Sequence, residues 1–217
     1  MNEPARVFAL TDPGPRRLRR EEVASSQRAR LLRAMAEVAA EKGYANTVVA
    51  DVIARAGVSR RTFYELFRDK QDCFLAAYAE TVELLSTRLI EAATGSPPAA
   101  STADVLDRIL SAYLGMLADE PLLAKTYLVE VYAAGPEAIA KRRAFLDRFT
   151  ELIRALHAEL ARRGESVGEL DAFTAEALVA AISMMVITRV AAGETESLAE
   201  LHAPLRGFLL ANLLAQR

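Results

Sequence analysis

The sequence predicts an all-α fold in which a small basic N-terminal helical domain precedes a larger helical C-terminal domain. Apolar residues recur at three- and four-residue spacing from about residue 25 to the C-terminus, as on amphipathic helices. No segment alternates apolar and polar residues in the manner of a half-buried strand. The 217 residues are 52% hydrophobic and 26% charged, which is enough to bury a core in one or two domains.

Residues 1–22 are predicted to form a flexible arm, because TDPGP places two prolines and a glycine within five residues and few apolar side chains surround it. Four arginines close the arm, and two interpretations of them remain open. They belong either to a solvated tail or to a mobile arm that follows a nucleic-acid backbone or minor groove. The segment contains no apolar run of signal-peptide length, so we expect a cytoplasmic protein.

The first helix is predicted to begin at Ser25 or Ser26, whose hydroxyls suit a helix N-cap. Leucine, methionine, valine and alanine then recur at helical spacing until Gly43, a residue that commonly ends helices. This helix supplies the first core-facing surface of the chain.

Two short helices follow, separated by a tight turn. Thr47 is predicted to cap the first of them, which ends at Ala56. Gly57 allows a positive φ at low cost, and Ser59 is predicted to cap the next helix. Two short helices joined by a glycine turn form a helix-turn-helix, so residues 23–70 are predicted to be a three-helix domain of this type.

Residues 71–217 are predicted to form the second domain, after a helix that leaves the first. The stretch GSPPAA at 95–100 marks a break, and Pro121 and Pro136 lie where proline is favoured, in the first turn of a helix. The predicted helices cover about 70–93, 102–118, 121–134, 136–163, 169–193 and 196–215.

Charge divides the chain in the same way. Residues 1–70 contain 14 lysines and arginines against 9 acidic residues, a net charge of +5. Residues 71–217 contain 13 against 20, a net charge of −7. The first third of the chain is therefore predicted to meet a polyanion.

The helix that begins after Ser59 is the best candidate for this contact. Phe63 and Phe67 lie four residues apart and are predicted to point into the core. The helix then leaves its polar and cationic groups outside, and arginine can bind both acceptors of a guanine edge in the major groove. Backbone amides at the helix N-terminus favour a phosphate. The outward residues are Arg60, Arg61, Thr62 and Tyr64.

Residues 47–70, TVVADVIARAGVSRRTFYELFRDK, resemble the DNA-binding signature of the TetR family of bacterial transcriptional regulators. Ile53 stands where the family usually has alanine, and Arg61 stands where many members have glycine. The matching positions are Thr47, Asp51-Val52, Ala56-Gly57-Val58-Ser59, Thr62-Phe63-Tyr64, Phe67 and Lys70. The DNA-binding residues expected from this resemblance and from the exposed helix face are Thr47, Ser59, Arg60, Arg61, Thr62, Tyr64 and Lys70.

The resemblance implies a ligand-responsive regulator with a helical effector-binding and dimerisation domain. Repression is the family's common mode and activation stays open, so the expected protein is a repressor that a small apolar molecule releases from a near-palindromic DNA operator. Residues 175–193 and 198–215 are apolar over broad faces, which suits a homodimer that pairs the helices at 169–193 and 196–215.

The large side chains of the middle helices are the candidate ligand contacts, although most of them also suit a plain core. They indicate an apolar or aromatic small molecule. His157 is more often a hydrogen-bonded or exposed histidine than a ligand contact. The candidates are Tyr113, Met116, Tyr127, Phe145, Phe149 and His157.

Enzymatic functions find little support in the sequence. Two histidines and the single Cys73 offer few groups for nucleophilic catalysis, a disulfide or a zinc site, and neither histidine has metal-ligand spacing. No enzyme activity, cofactor or metal is expected, and the longest apolar stretch, 177–187, is predicted to be too short to span a membrane. The alternative function is a helical module that binds a small molecule or a protein without specific DNA binding.

Overall fold

The computed structural model describes residues 15–95, 101–164 and 167–214, with side chains from Val23 onward. These residues form nine α-helices and two 3-10 segments, and the one β-type contact among them is a single antiparallel bridge between Val167 and Leu214. The all-α prediction is confirmed. The helices are α1 (Pro15–Lys42), α2 (Val49–Ala56), α3 (Arg60–Leu66), α4 (Lys70–Thr94), α5 (Thr102–Asp119), α6 (Pro121–Leu128), α7 (Pro136–Arg162), α8 (Ala172–Ala191) and α9 (His202–Leu213).

Helix α1 begins earlier than predicted. Ser25 and Ser26 lie inside this 28-residue helix, so neither serine caps it. The preceding residues are mostly arginine, leucine, glutamate and alanine, which are strong helix formers, and Pro15 suits the first helical position. Of the predicted flexible arm 1–22, residues 15–22 are therefore helical and residues 1–14 lie outside the described residues. The side chains of Arg16, Arg17, Arg19 and Arg20 also lie outside them, and their contact with DNA stays a prediction.

The turn between α2 and α3 has the predicted geometry. Gly57 adopts φ 62° and ψ 42°, the left-handed region that favours glycine, and its N–H donates to the carbonyl of Ile53. The Val58 N–H donates to the same carbonyl at 3.2 Å. Ser59 caps α3, since its Oγ accepts from the Thr62 N–H at 3.0 Å. The side chain of Ile53 is half-buried and packs against the core.

Two hydrophobic cores meet along α4. The first core combines α1, α2 and α3 with the N-terminal part of α4, with Ala138 of α7 and with the α6 region, which we define as residues 121–134. The second core combines the C-terminal part of α4 with α5, α6, α7, α8 and α9. Cys73, Phe74 and Tyr78 belong to the first core, whereas Leu85 and Leu89 belong to the second. Any shift of α4 is therefore felt in both cores.

Two predicted helices are interrupted. The helix predicted at 121–134 ends at Leu128 and continues as a 3-10 segment, Glu130–Ala134. The β-branched Val129 and Val131 lower helix propensity there. The helix predicted at 196–215 divides into a 3-10 segment, Thr195–Leu201, and α9. Pro204 lacks an N–H and so is tolerated in the first turn of the restarted helix.

Helix α8 has 20 residues and extends beyond the apolar stretch 177–187, which was predicted to be too short to span a membrane. Among the described helices, only α8 is long and apolar enough to cross a membrane by length and composition. This is weak evidence, because a core helix of a soluble protein passes the same test. Leu178, Val186 and Val190 of α8 belong to the second core. We therefore interpret α8 as a core helix of its domain.

Candidate DNA-binding surface and internal cavity

Helix α3 divides its side chains between core and surface as predicted. Phe63 and Phe67 are buried, with ring centroids 5.7 Å apart. Arg60 and Arg61 are exposed, and 51% of the Tyr64 surface is accessible. The helix is thus anchored by its aromatic face and presents two guanidinium groups and a phenol to the outside.

The N-terminus of α3 is held by its own hydroxyl groups. Besides accepting from the Thr62 N–H, Ser59 Oγ lies 2.9 Å from Thr62 Oγ1. Ser59 is exposed and Thr62 is half-buried. The Ser59 side chain thus caps α3 by pairing the Thr62 N–H, a backbone donor that a helix end otherwise leaves unpaired. Its hydroxyl is in turn paired with the Thr62 hydroxyl.

Arg61 is held along the surface of α3 by an ion pair. Its Nε donates to Glu65 Oε1 at 2.8 Å, and this hydrogen bond raises the pKa of the guanidinium above its ordinary value. Such an exposed pair between residues i and i+4 contributes little to stability, so a DNA phosphate or base can displace Glu65 at little cost.

Thr47 does not occupy the predicted position. Its side chain is fully buried, and its hydroxyl donates to the Gly43 carbonyl at 2.9 Å. The N-cap of α2 is Val48, whose N–H donates to the Asp51 carboxylate at 3.2 Å. The chain turns back after Gly43 and brings Thr47 beneath the surface, so the predictions that it caps α2 and contacts DNA are corrected.

Lys70 is engaged within the protein, and its predicted contact with DNA stays a prediction. Its Nζ donates to the carbonyls of Tyr44 at 2.9 Å, Thr47 at 2.8 Å and Ala45 at 3.4 Å. The same Nζ lies 4.4 Å from the centroid of the Tyr44 ring. An ammonium group has three donors, and these carbonyls occupy them. Lys70 therefore ties the start of α4 to the turn before α2.

Ion pairs between α1 and α2 neutralise cationic groups of both helices. Arg55 donates to Glu37 at 3.1 Å and to both Glu41 oxygens, at 3.0 and 2.6 Å. The hydrogen bond from Arg55 lowers the pKa of Glu41. Lys42 pairs with Asp51 at 2.7 Å. The basic excess of the N-terminal domain is thus reduced around α2, whereas Arg60 and Arg61 at the start of α3 are exposed.

The α6 region makes three long-range hydrogen bonds, two to the N-terminal domain and one to the start of α4. Thr126 Oγ1 donates to the Ala36 carbonyl at 2.6 Å, and Glu130 accepts from the Tyr44 N–H at 2.8 Å. Gln71 donates to the Ala134 carbonyl at 3.0 Å. Sequence reasoning missed these residues, because their partners lie 63 to 90 positions away. They hold the α6 region against α1, the turn that follows it and the start of α4.

A cavity of about 60 Å³ lies among α5, α7, α8 and α9. Its wall is almost entirely apolar, and three of the six predicted ligand contacts line it: Tyr113, Phe145 and Phe149. The rings of Phe145 and Phe149 pack edge to face with centroids 4.7 Å apart. The hydroxyl groups of Tyr113 and Ser183 are the polar side-chain groups of this wall.

The other three predicted ligand contacts lie outside the cavity wall. Met116 is buried in the second core, and Tyr127 packs edge-on against Tyr78 in the first core. His157 Nε2 lies 2.9 Å from the Gly168 carbonyl. Size and helical spacing predict burial for such residues, but they do not distinguish a filled core from a cavity wall.

The surface of α8 and α9 exposes several large apolar side chains. The exposed fraction is 78% for Phe173 and 60% for Met184, and Met185 and Phe208 are also exposed. These residues belong to the two helices that were predicted to pair with a second copy of the chain.

Residues 31–77 match the family model described as "Bacterial regulatory proteins, tetR family". This range contains the end of α1, all of α2 and α3 and the start of α4. Residues 31–77 are thus similar to the DNA-binding domain of the tetR family. The resemblance expected from residues 47–70 is confirmed, and TetR-family regulators are DNA-binding proteins rather than enzymes.

Solved structures of TetR-family regulators share the overall fold. The fatty acid degradation regulator FadR from Bacillus halodurans has a TM-score of 0.75 and 22% identity, covering 85% of this chain and 94% of that chain. FadR from Bacillus subtilis, in complex with stearoyl-CoA, has a TM-score of 0.74 and 23% identity, with coverages of 84% and 97%. A TetR transcriptional regulator from Chloroflexus aurantiacus J-10-FL has a TM-score of 0.71 and 23% identity, with coverages of 89% and 100%. The comparison with curated proteins gives no match.

Proposed function

We propose that this protein is a cytoplasmic transcriptional repressor whose homodimer binds a near-palindromic DNA operator and is released by a small apolar ligand. The observation that carries the proposal is the exposed cationic start of α3, where Arg60, Arg61 and Tyr64 project from a TetR-family domain. A recognition helix of this kind lies in the major groove with its N-terminal residues at the base edges.

The exposed apolar side chains of α8 and α9 support the homodimer. Phe173, Met184, Met185 and Phe208 offer apolar surface that a second copy buries. A twofold dimer also presents two copies of α3 to half-sites one helical turn apart. We expect Met184→Glu to shift the protein from dimer to monomer in sedimentation experiments and to weaken operator binding, whereas Glu196→Gln leaves the dimer intact.

The apolar cavity supports a small apolar effector. FadR from Bacillus subtilis, which shares the fold, was solved with stearoyl-CoA, an acyl compound. A ligand in the cavity presses on α5, α7 and α8, and α4 and the α6 region connect these helices to the DNA-binding domain. The ligand releases the operator only if it binds the released conformation more tightly than the DNA-bound conformation.

A gel-shift titration with fragments of the source genome tests the DNA-binding function, and the region upstream of the protein's own coding sequence is the first candidate. Replacing both Arg60 and Arg61 by alanine should weaken specific binding at least about 30-fold, since each bidentate contact to a base contributes about 1–3 kcal/mol. The matched control replaces Arg162 and Arg163 at the end of α7, which removes the same charge far from α3.

The expected control result is unchanged operator affinity. Wild-type binding should also weaken steeply as salt is raised, because phosphate contacts release counterions. If no genomic fragment is bound specifically, the alternative of a binding module without specific DNA binding replaces the repressor. A reporter gene behind the bound region distinguishes repression from activation.

A further inference from the structure

Helix α7 contains a buried arginine without an acidic partner. Arg142 is 3% exposed, and its Nη2 donates to Ser183 Oγ at 2.6 Å. Its Nε has no hydrogen-bond partner in the described part of the chain, and no carboxylate described there forms an ion pair with it. A buried charge without a counter-charge is costly, so buried arginines are normally paired.

The other groups around Arg142 are aromatic and do not supply a negative charge. The guanidinium lies 5.7 Å from the centroid of the Phe145 ring. Burial raises the pKa of Tyr78 to about 12 and also raises the pKa of Tyr113, while the positive charge of Arg142 acts in the opposite direction on both. Both phenols therefore remain neutral near neutral pH, and the site lacks one negative charge.

Arg142 lies directly behind the wall of the cavity. Arg142 also hydrogen-bonds to Tyr78, but its contacts Ser183 and Phe145 both line the cavity, and so does Tyr113. Because Ser183 Oγ accepts from Arg142, the serine can donate its own proton to an anion in the cavity. The rest of the wall is apolar and follows α7 from Phe145 to Leu156, a length of about 16 Å at the rise of an α-helix.

We propose that this cavity binds a linear aliphatic monocarboxylate, with its carboxylate held by Arg142 and Ser183 and its hydrocarbon chain lying along α7 toward Leu156. This assignment names the ligand class of the apolar effector and rests on the proposed function. A thioester such as an acyl-CoA has no charge at its acyl carbonyl, so that group cannot neutralise Arg142. A free carboxylate supplies the missing negative charge and two acceptors for the guanidinium.

The structure also indicates how such a ligand acts on α4. The cavity is smaller than the 300–1,000 Å³ of typical ligand pockets, so its walls must move apart on binding. An opening of about 280 Å³ between α4 and α7 shares Phe149 and Leu152 with the cavity. Arg148 and Glu83, whose charged groups are 3.5 Å apart, connect the same two helices. Widening the cavity along this line moves α7 away from α4, the helix that joins both cores.

Isothermal titration calorimetry of the full-length protein tests the assignment, with dodecanoate and stearoyl-CoA below their micelle concentrations and dodecan-1-ol below its solubility limit as probes. Dodecanoate should bind at least about tenfold more tightly than dodecan-1-ol, because hydrogen bonds to charged groups contribute roughly tenfold or more to an equilibrium constant. Arg142→Met should remove this preference and leave dodecan-1-ol binding within about twofold. Arg142→Lys should keep part of it.

The matched control is Arg143→Met, which removes an exposed arginine at the next position of α7 and should leave dodecanoate binding unchanged. Equal binding of the acid and the alcohol by the wild-type protein overturns the proposal, as does full dodecanoate affinity in Arg142→Met, tighter binding of stearoyl-CoA than of dodecanoate, or no binding of any probe. The acid-to-alcohol comparison needs no variant, so it decides the question even if Arg142→Met fails to fold. Gel shifts without ligand report separately on the repressor function.

Discussion

The helix-turn-helix domain and the C-terminal domain differ in whether their polar side chains have hydrogen-bond partners. Around the helix-turn-helix, Lys70 donates to three backbone carbonyls and Thr47 closes the turn before α2. In the C-terminal domain, Arg142 is buried with an unpaired Nε beside a cavity. Satisfied polar networks hold one conformation, whereas a cavity and an uncompensated charge leave a conformation that a ligand can change. The first domain is built to hold a fixed shape and the second to respond.

The elements between the two domains determine whether a response reaches DNA. Helix α4 contributes side chains to both cores, and the α6 region is tied to α1 by Thr126 and Glu130. Since the N-terminal domain is held together internally, we expect a movement of α4 to displace it as a unit. In the proposed dimer, such a movement would change the separation of the two copies of α3.

Removing the aromatic anchor of α3 should produce the largest effect. Phe63 is fully buried, so Phe63→Ala should lower the free energy of unfolding by about 3–5 kcal/mol and abolish DNA binding by loss of structure. Urea denaturation followed by circular dichroism measures the change. The comparison residue is its neighbour Tyr64, which is half exposed.

Tyr64→Ala should change stability by no more than about 0.5 kcal/mol while weakening operator affinity. A large loss of stability in Tyr64→Ala would show that the outer face of α3 is part of the core. A small loss in Phe63→Ala would contradict the fixed shape assigned to the N-terminal domain.

Removal of the hydrogen bonds made by Lys70 should have the next largest effect on the free energy of unfolding. Lys70→Met keeps the apolar part of the side chain but removes the donors to the Tyr44 and Thr47 carbonyls, so unfolding should become easier by about 2 kcal/mol. Arg60→Met, on the exposed start of α3, should leave the unfolding free energy almost unchanged. If Lys70→Met keeps full stability yet loses operator affinity, Lys70 is the DNA contact that its sequence position suggested.

The sequence predicted helices and turns more accurately than it predicted the hydrogen-bond partners of individual side chains. Gly57 and Ser59 were predictable because a positive φ and an N-cap are local requirements with few suitable residues. The cap assigned to Thr47 was wrong, and the carbonyl partners of Lys70 were not predicted, because a residue type identifies a donor but not the acceptor that the fold brings within reach. The hydrogen bonds from α6 to α1 required the tertiary structure itself.

Arg142 is a different case, since a sequence signal was available. The run Lys141-Arg142-Arg143 suggests a solvated face, but α7 places Ala138, Arg142, Phe145 and Phe149 at spacings of four, three and four on one side. Of these, Ala138, Arg142 and Phe145 are buried. The periodicity predicts which of the three cations faces inward, and the cavity beside it could be found only from the structure.

Removal of the ion pair between Arg55 and Glu41 should have the smallest effect on stability. Its pH dependence tests whether the pair stabilises the N-terminal domain through its charge. Hydrogen bonding to Arg55 lowers the pKa of Glu41 in the folded chain below its ordinary value of 4.5, which applies to the unfolded chain. The pair therefore stabilises the fold at pH values above 4.5, and this stabilisation is lost as the pH falls through the lower pKa of the folded chain. Glu41→Gln should therefore lower the urea midpoint slightly at neutral pH, because exposed pairs contribute little, and the difference from wild type should vanish as pH falls well below 4.5. Hydrogen exchange at neutral pH should rise in α2 and stay constant in α8. Glu65→Gln, which removes only a pair within α3, is the control; a Glu41→Gln difference that persists at low pH would show that the glutamine disturbs packing between α1 and α2 rather than removing a charge.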